Sequence, residues 1–354
     1  MNLLERLQIR HPIILAPLAG GPSTPELAAA VTNAGGLGSL GIEYLTLEQI
    51  QQTIARTRSL TRGPININLF APTPPPDTKR DPAPVLQLLS EVHRELNLGP
   101  PELPSDNRDD FESKFQAVIA TQPEVFSFTF GMLPTEATQR LKSKAIFVIG
   151  TATTVEEGEL LARGGVDAVV AQGSEAGGHR GTFAGAFEES MVSTLDLTRA
   201  LHQRLSIPII ASGGIMDGND INHALAAGAE AVQMGTAFLT CPEAGTSKPY
   251  RHALSNARSD TTIITRAYSG RPARGLRNHF ATTLEQHPDW ILPFPLQNSL
   301  TRPMRIAAAA QGNPEYLSLW AGTGVAKSRA VPAGELVAQL VSEMNHHPNR
   351  VSRL

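Results

Sequence analysis

Short, nearly continuous apolar runs recur along this chain, separated by stretches with helical spacing. Eight such runs stand at Ile13–Pro17, Leu37–Gly41, Ile65–Leu69, Val125–Gly131, Ala145–Thr151, Ala168–Gly173, Pro208–Gly214 and Ala231–Phe238. They do not alternate apolar with polar, so they predict parallel strands covered on both faces rather than strands with one wet face. The stretches between them carry helix punctuation. Pro25–Asn33 follows Thr24, a good N-cap, and begins with proline. Thr154–Arg163 stops at Gly164-Gly165, and Gly218–Ala227 stops at Gly228. Strand–helix alternation implies right-handed crossovers, and eight such units predict an α/β protein of the TIM (β/α)8-barrel class. An open doubly wound sheet is the alternative, and the regular eightfold rhythm favours closure.

Two stretches interrupt the rhythm. Ala71–Asp110 carries Pro72, Pro74, Pro75, Pro76, Pro82 and Pro84, a helix signal over Val85–Leu96 and a loop over Gly99–Asn107. It reads as an excursion over the barrel mouth. Glu243–Val331 has no clear strand period and is punctuated by Pro293, Pro295 and Pro303, with a short helix signal at Ile306–Gln311. It reads as a helical lid. Glu335–Met344 then places Leu336, Val337, Leu340, Val341 and Met344 on one face, as a closing helix would. The expected division is a barrel over residues 1–242 with 332–354, and a lid or substrate-binding segment over 243–331.

Composition narrows the class. The 354 residues are 41% hydrophobic and 18% charged, with a net charge of −3. That is an ordinary globular balance, and it argues against a nucleic-acid partner, which needs a basic face. The arginines near 266–277 are offset by acidic residues elsewhere. One cysteine, Cys241, excludes an internal disulfide and a cysteine-based zinc site. Met1–Arg10 lacks the apolar core of a signal peptide, and no run approaches the ~18 apolar residues of a membrane span. A cytoplasmic protein without a membrane partner is expected.

The candidate chemistry sits at strand ends. Ser212-Gly213-Gly214-Ile215 ends the seventh run, and Gln233-Met234-Gly235-Thr236 lies at the exit of the eighth. In barrels of this type these two turns commonly form a phosphate site. Glycine lets backbone N–H groups approach a phosphate, and Thr236 offers a hydroxyl. After the sixth run comes Gln172-Gly173-Ser174-Glu175-Ala176-Gly177-Gly178-His179-Arg180-Gly181. This loop can lie flat against a ring system and carries one imidazole at its tip. An imidazole can exchange protons near neutral pH or steady an anion as imidazolium. Arg180 reads as solvated or structural. Ala16, Pro17 and Leu18 end the first run, and Asn68 ends the third. Asn68 and Gln172 are amides that suit the pyrimidine edge of a flavin, although either could instead satisfy rim backbone groups. Phe128 and Phe130 read as packing. Gly35-Gly36-Leu37-Gly38 precedes a strand and so is no dinucleotide fingerprint. Gly322-Thr323-Gly324-Val325-Ala326-Lys327-Ser328 lacks P-loop spacing. No HExxH motif occurs, Asp217 and Asp220 read as helix caps, and no metal is expected.

Together, Ala16-Pro17-Leu18-Ala19-Gly20-Gly21, Asn68-Leu69-Phe70, Phe128-Thr129-Phe130-Gly131 and the Gly173–Gly181 loop resemble the class I nitronate monooxygenases, formerly called 2-nitropropane dioxygenases. The resemblance continues through Gln233–Phe238 to Tyr316–Gly322 and covers most of the chain. It implies non-covalent FMN, contacted by Asn68, Gln172, Gly177, Gly214, Gln233, Met234, Gly235 and Thr236. Ala16, Pro17, Leu18 and Gly213 complete the expected cofactor contacts, and His179 is the implied catalytic residue. The implied reaction is oxidation of an alkyl nitronate, such as propionate 3-nitronate, by O2 to a carbonyl compound and nitrite or nitrate, without NAD(P)H. A homodimer is left open. Two other functions compete: an NAD(P)H-dependent flavin reductase acting on quinones or enoyl thioesters, and a non-catalytic flavin-binding module. One departure stands out. Family members carry tyrosines in the lid, whereas Phe294-Pro295-Leu296-Gln297-Asn298 offers no hydroxyl here, and the tyrosines are Tyr44, Tyr250, Tyr268 and Tyr316.

Overall fold

The computed structural model describes residues 2–73, 79–104, 110–258 and 260–346. The β-branched and leucine-rich runs become eight parallel strands. They are β1 (Ile13–Leu15), β2 (Gly38–Gly41), β3 (Ile65–Phe70), β4 (Val125–Thr129), β5 (Phe147–Ala152), β6 (Ala168–Gln172), β8 (Ile209–Ser212) and β9 (Ala231–Met234). A short strand β7 (Gly178–His179) lies between β6 and β8 in sequence but outside this sheet. The spatial order is β1-β9-β8-β6-β5-β4-β3-β2, and a parallel bridge between Ile14 and Leu37 joins the two ends. The TIM-barrel expectation therefore holds, and the open-sheet alternative falls.

Nearly every strand position is buried, as continuous apolar runs require. One cluster packs outward-facing strand residues such as Ile67, Phe126 and Val148 against the surrounding helices. Another gathers Ile14, Val170 and Ile210 with Leu3 and Leu7 of the helix Leu3–Leu7, which plugs the base of the barrel. Helix starts follow the local chemistry. The Thr24 hydroxyl accepts from the Leu27 amide at 3.0 Å, and Pro25 opens the helix Pro25–Asn33. Asp217 and Asp220 form a capping box on the helix Gly218–Ala226 and pair with Lys327 at 2.8 and 3.0 Å. They are caps, as the sequence suggests.

The segment after β9 departs from the helical expectation. It contains helices Lys248–Ser255, His279–Glu285 and Leu296–Gln311, but also two strands, β10 (Thr262–Thr265) and β11 (Ala273–Leu276). These form an antiparallel sheet in the order β10-β11-β7. Each is only four residues long, and one partner is a two-residue strand in a distant loop, so no periodicity could announce them. The helix expected from Ile306 begins ten residues earlier, at Leu296, and runs through Pro303. Pro303 is exposed, where its ring costs a backbone hydrogen bond without disturbing the core. The excursion after β3 contributes the helix Ala83–Glu95, whose Val85, Leu89 and Val92 share a separate core with Tyr268, Phe280, Leu300 and Met304. Excursion and lid thus form one layer over the mouth. Residues 105–107 of the expected loop, Pro74–Pro76 and residues 347–354 lie outside the described residues. The closing helix spans Ala333–His346 and docks on Gly218, whose amide donates to Glu343 Oε2 at 2.8 Å.

Candidate active site

The C-terminal ends of the barrel strands and the overlying layer enclose a cavity of about 680 Å³. Every residue singled out from the sequence as a cofactor or catalytic candidate lines it, from Ala16 just beyond β1 to Thr236 beyond β9.

One end of the cavity is made of backbone. Gly213 and Gly214 adopt φ of +129° and +71°, conformations that β-carbons disfavour. A Cβ on Gly213 would also stand 2.7 Å from Thr194 Oγ1. Both turns line the cavity, and the N–H groups of Gly214, Gly235 and Thr236 have no acceptor among the described residues. The Thr236 hydroxyl accepts from the Gly322 amide at 2.9 Å, which leaves its own proton free to donate. These half-buried residues bring donors without acceptors together at one end of the cavity, a cluster matched to an anion with several oxygens. That is the donor set a terminal phosphate requires, and the residues fit FMN in this respect. Gln233 and Met234 line the wall just before this turn, and Ala16, Pro17 and Leu18 face it from β1. The Ala16 amide is tied to the Met234 carbonyl at 2.9 Å, which holds the two strand ends together. Gly177 closes the seat from above, where a Cβ would lie 2.5 Å from the Gly322 amide nitrogen.

The two amides behave differently. Asn68 Nδ2 donates to Ser127 Oγ at 2.9 Å, leaving its carbonyl oxygen without a partner among the described residues. Gln172 instead braces the histidine loop. Its Nε2 donates to the His179 carbonyl at 3.0 Å, and its Oε1 accepts from the Gly181 amide at 2.8 Å. Only one Gln172 N–H remains for a ligand.

His179 does not hang from a loop tip. It sits in β7, paired with Ala273 of β11. Its Nε2 is 2.8 Å from Ser269 Oγ, and its ring meets Trp320 at 5.4 Å, Phe130 at 5.8 Å and Phe294 at 6.3 Å. Burial, with the Arg271 and Arg305 guanidiniums as smaller contributions, pushes its pKa down to about 3. The imidazole is therefore neutral at physiological pH. It can accept a hydrogen bond, whereas proton uptake would form the imidazolium that burial disfavours, so the ring is a weak base unless an anion stands beside it. Phe128 is core packing, as expected, but Phe130 lines the cavity. It adopts φ +75°, unusual for a bulky residue, with the Arg271 guanidinium 4.0 Å over its ring.

Buried polar groups hold this loop. Arg180 is 1% exposed and donates to the Gly173 and Ser190 carbonyls, so it is structural. Glu157 is fully buried and accepts from Thr153 N and Oγ1, at 2.6 and 2.7 Å, and from the Phe183 and Ala184 amides. A glutamine at that position would turn an N–H₂ toward donors. Glu157→Gln is expected to destabilise the fold by about 2–3 kcal/mol, the cost of leaving buried donors unpaired. Urea denaturation of the variant checks this, and an unchanged midpoint would count against the brace.

Sequence reasoning missed Ser269 and Arg305, and it named Phe70, Phe294, Tyr44 and Trp320 without giving them a place in the site. Ser269 lies 90 residues from His179 and carries no motif. The glycines at 322 and 324 were the one local hint that the Trp320 segment approaches the site closely. Among the described residues, no group of three or more His, Cys, Asp or Glu is placed to hold a metal. No helix among them is long and apolar enough to cross a membrane.

Comparison with known proteins adds to this geometry. A family model described as "Nitronate monooxygenase" matches residues 2–343. The chain is 38% identical to a probable nitronate monooxygenase of Staphylococcus saprophyticus, over 97% of both chains. A Staphylococcus aureus protein with the same description is 38% identical, again over 97% of each. Among solved structures, nitroalkane oxidase from Streptomyces ansochromogenes is 39% identical with a TM-score of 0.90, covering 97% of this chain and 98% of that one. FabK from Thermotoga maritima is more distant, at 27% identity and a TM-score of 0.77, over 97% and 96%.

Proposed function

The chain belongs to the nitronate monooxygenase family, a family of flavoenzymes, and we propose that it binds FMN and oxidises alkyl nitronates with O2 to carbonyl compounds and nitrite or nitrate. The observation that carries this reading is the pairing, in one cavity, of a phosphate-type amide cluster at Gly213–Gly214 and Gly235–Thr236 with His179. The turn would hold the terminal phosphate, and Asn68 and the remaining Gln172 N–H would meet the pyrimidine edge of the ring. Bound FMN would supply the electron acceptor that takes electrons from substrate and returns them to O2. The rest falls to side chains. Phe70, Phe130, Phe294 and Trp320 exclude water from the space around His179. Neutral His179 hydrogen-bonds a nitronate already formed, or takes the α-proton from a nitroalkane to become an imidazolium whose counter-charge is the nitronate it creates. The reading carries O2 as second substrate and a cytoplasmic location.

The test starts from colour. Purified protein is expected to be yellow and to release FMN on denaturation. Protein that stays colourless after soaking with FMN would sink the proposal, and release of FAD would show that the phosphate turn does not hold a terminal phosphate. Under nitrogen, nitronate alone should bleach the flavin. The likeness to FabK makes the flavin-reductase reading the alternative, and bleaching by NAD(P)H but not by nitronate would favour it.

A further inference from the structure

Beyond the flavin seat, the charge lining the cavity is one-sided. Among the described residues its charged lining groups are Arg302 and Arg305, with no carboxylate. Arg302 is exposed at the rim. Arg305 points inward from the helix Leu296–Gln311. Its Nη2 donates to the Asn298 carbonyl and Oδ1 at 2.7 and 2.9 Å, while its Nε is buried and has no partner. The Tyr44 hydroxyl is also buried without a partner and lines the same cavity. A chain of ring contacts connects this corner to the reactive one. Tyr44 meets Phe70 at 5.8 Å, Phe70 meets Phe130 at 4.5 Å, and Phe130 meets His179 at 5.8 Å. The guanidinium of Arg305 acts electrostatically on both Tyr44 and His179.

Resting on the function proposed above, we propose that Arg305, together with the Tyr44 hydroxyl, seats the anionic oxygens of the substrate and so selects the preformed nitronate over the neutral nitroalkane. Two buried donors with no acceptor are an unmet cost that a small oxyanion would satisfy. In a poorly solvated cavity a charge-assisted bond to a guanidinium is about twice as strong as a neutral one. The neutral state of His179 fits this division of labour, because the fixed positive charge resides on arginine. Burial pushes the Tyr44 pKa up to about 12, so the phenol keeps its proton and donates. The amide cluster proposed for the phosphate is made of other residues, on the exits of β8 and β9.

The probe is nitrate, a planar oxyanion with the same O–N–O edge as a nitronate, titrated into the FMN-loaded protein. Flavin absorbance gives Kd, and the rise of Tm with nitrate gives an independent reading. Arg305→Gln is expected to raise the nitrate Kd about 10–100-fold, in line with loss of a charged hydrogen bond. The KM of a neutral nitroalkane should move less than about threefold, and Arg305→Lys should restore most of the nitrate affinity. Tyr44→Phe, which leaves the Arg305–Asn298 contacts intact, should weaken nitrate about 3–10-fold. Wild-type nitrate affinity in Arg305→Gln would overturn the proposal. So would equal losses for nitrate and nitroalkane, the sign of a merely structural arginine. If Arg305→Gln does not fold, unchanged affinity in Tyr44→Phe overturns it instead. Nitrate binding that depends on Arg305 in a protein that does not oxidise nitronates would uphold the anion seat while removing the function.

Discussion

His179→Asn is expected to keep FMN and to lose about 10²–10⁴-fold in flavin reduction by neutral nitroalkanes, the usual worth of a positioned proton acceptor. The proposed flavin contacts come from several strand ends, so no single side chain on β7 should be needed to hold the cofactor. Asparagine can still hydrogen-bond Ser269 but cannot take a proton. The loss with a preformed nitronate should be smaller, because no proton need be removed and the anion has its own seat. Stopped-flow reduction under nitrogen measures both, and wild-type rates with both substrates would make His179 structural. A pH signature accompanies the substitution. The folded-state pKa of His179, about 3, lies below its ordinary 6.5, so the unfolded chain binds the proton more readily. This group's contribution to stability is therefore present above about pH 6.5 and is lost as pH falls toward 3. His179→Asn should lessen the acid sensitivity of Tm over that window.

Gly235→Asp should weaken FMN by about 10³-fold while costing the fold much less. A carboxylate there would face the phosphate in a poorly solvated turn. Two like charges about 4 Å apart at an effective dielectric near 20 repel by about 4 kcal/mol. The backbone itself tolerates a side chain, since Gly235 has φ −109°. A Cβ would stand 3.3 Å from Ala16 Cβ and Leu18 Cδ2, so some crowding is expected as well. Gly235→Ala carries the crowding without the charge and should bind FMN within about tenfold of wild type. Fluorescence titration of the apoprotein separates the two, and equal affinity of Gly235→Asp and wild type would remove the phosphate assignment.

Much of the fold was legible because its causes are local. Parallel strands covered on both faces demand apolar runs such as Ala168–Gln172, and crossovers demand capped helices such as the one opened by Thr24 and Pro25. The meeting of the two glycine turns was legible for the same reason: Gly213-Gly214 and Gly235-Thr236 advertise a close backbone approach in their own composition, and strand order fixes where they meet. Other features arise only when distant segments meet. The strand that holds His179 exists because β11, some 90 residues later, supplies its partner, and Ser269 reaches the imidazole by the same route. Gln172 looked like a ligand amide and is largely spent on loop backbone, a distinction set by geometry rather than residue type. The protonation state of His179 is likewise a tertiary property. It depends on the burial that closes around it and on two guanidiniums brought from the lid, while the sequence near residue 179 shows only a histidine among glycines. Local propensity and pattern determined the barrel and the paired glycine turns at its mouth. Desolvation and long-range pairing, which act only in the assembled fold, decided the charge and the neighbours of the reactive centre.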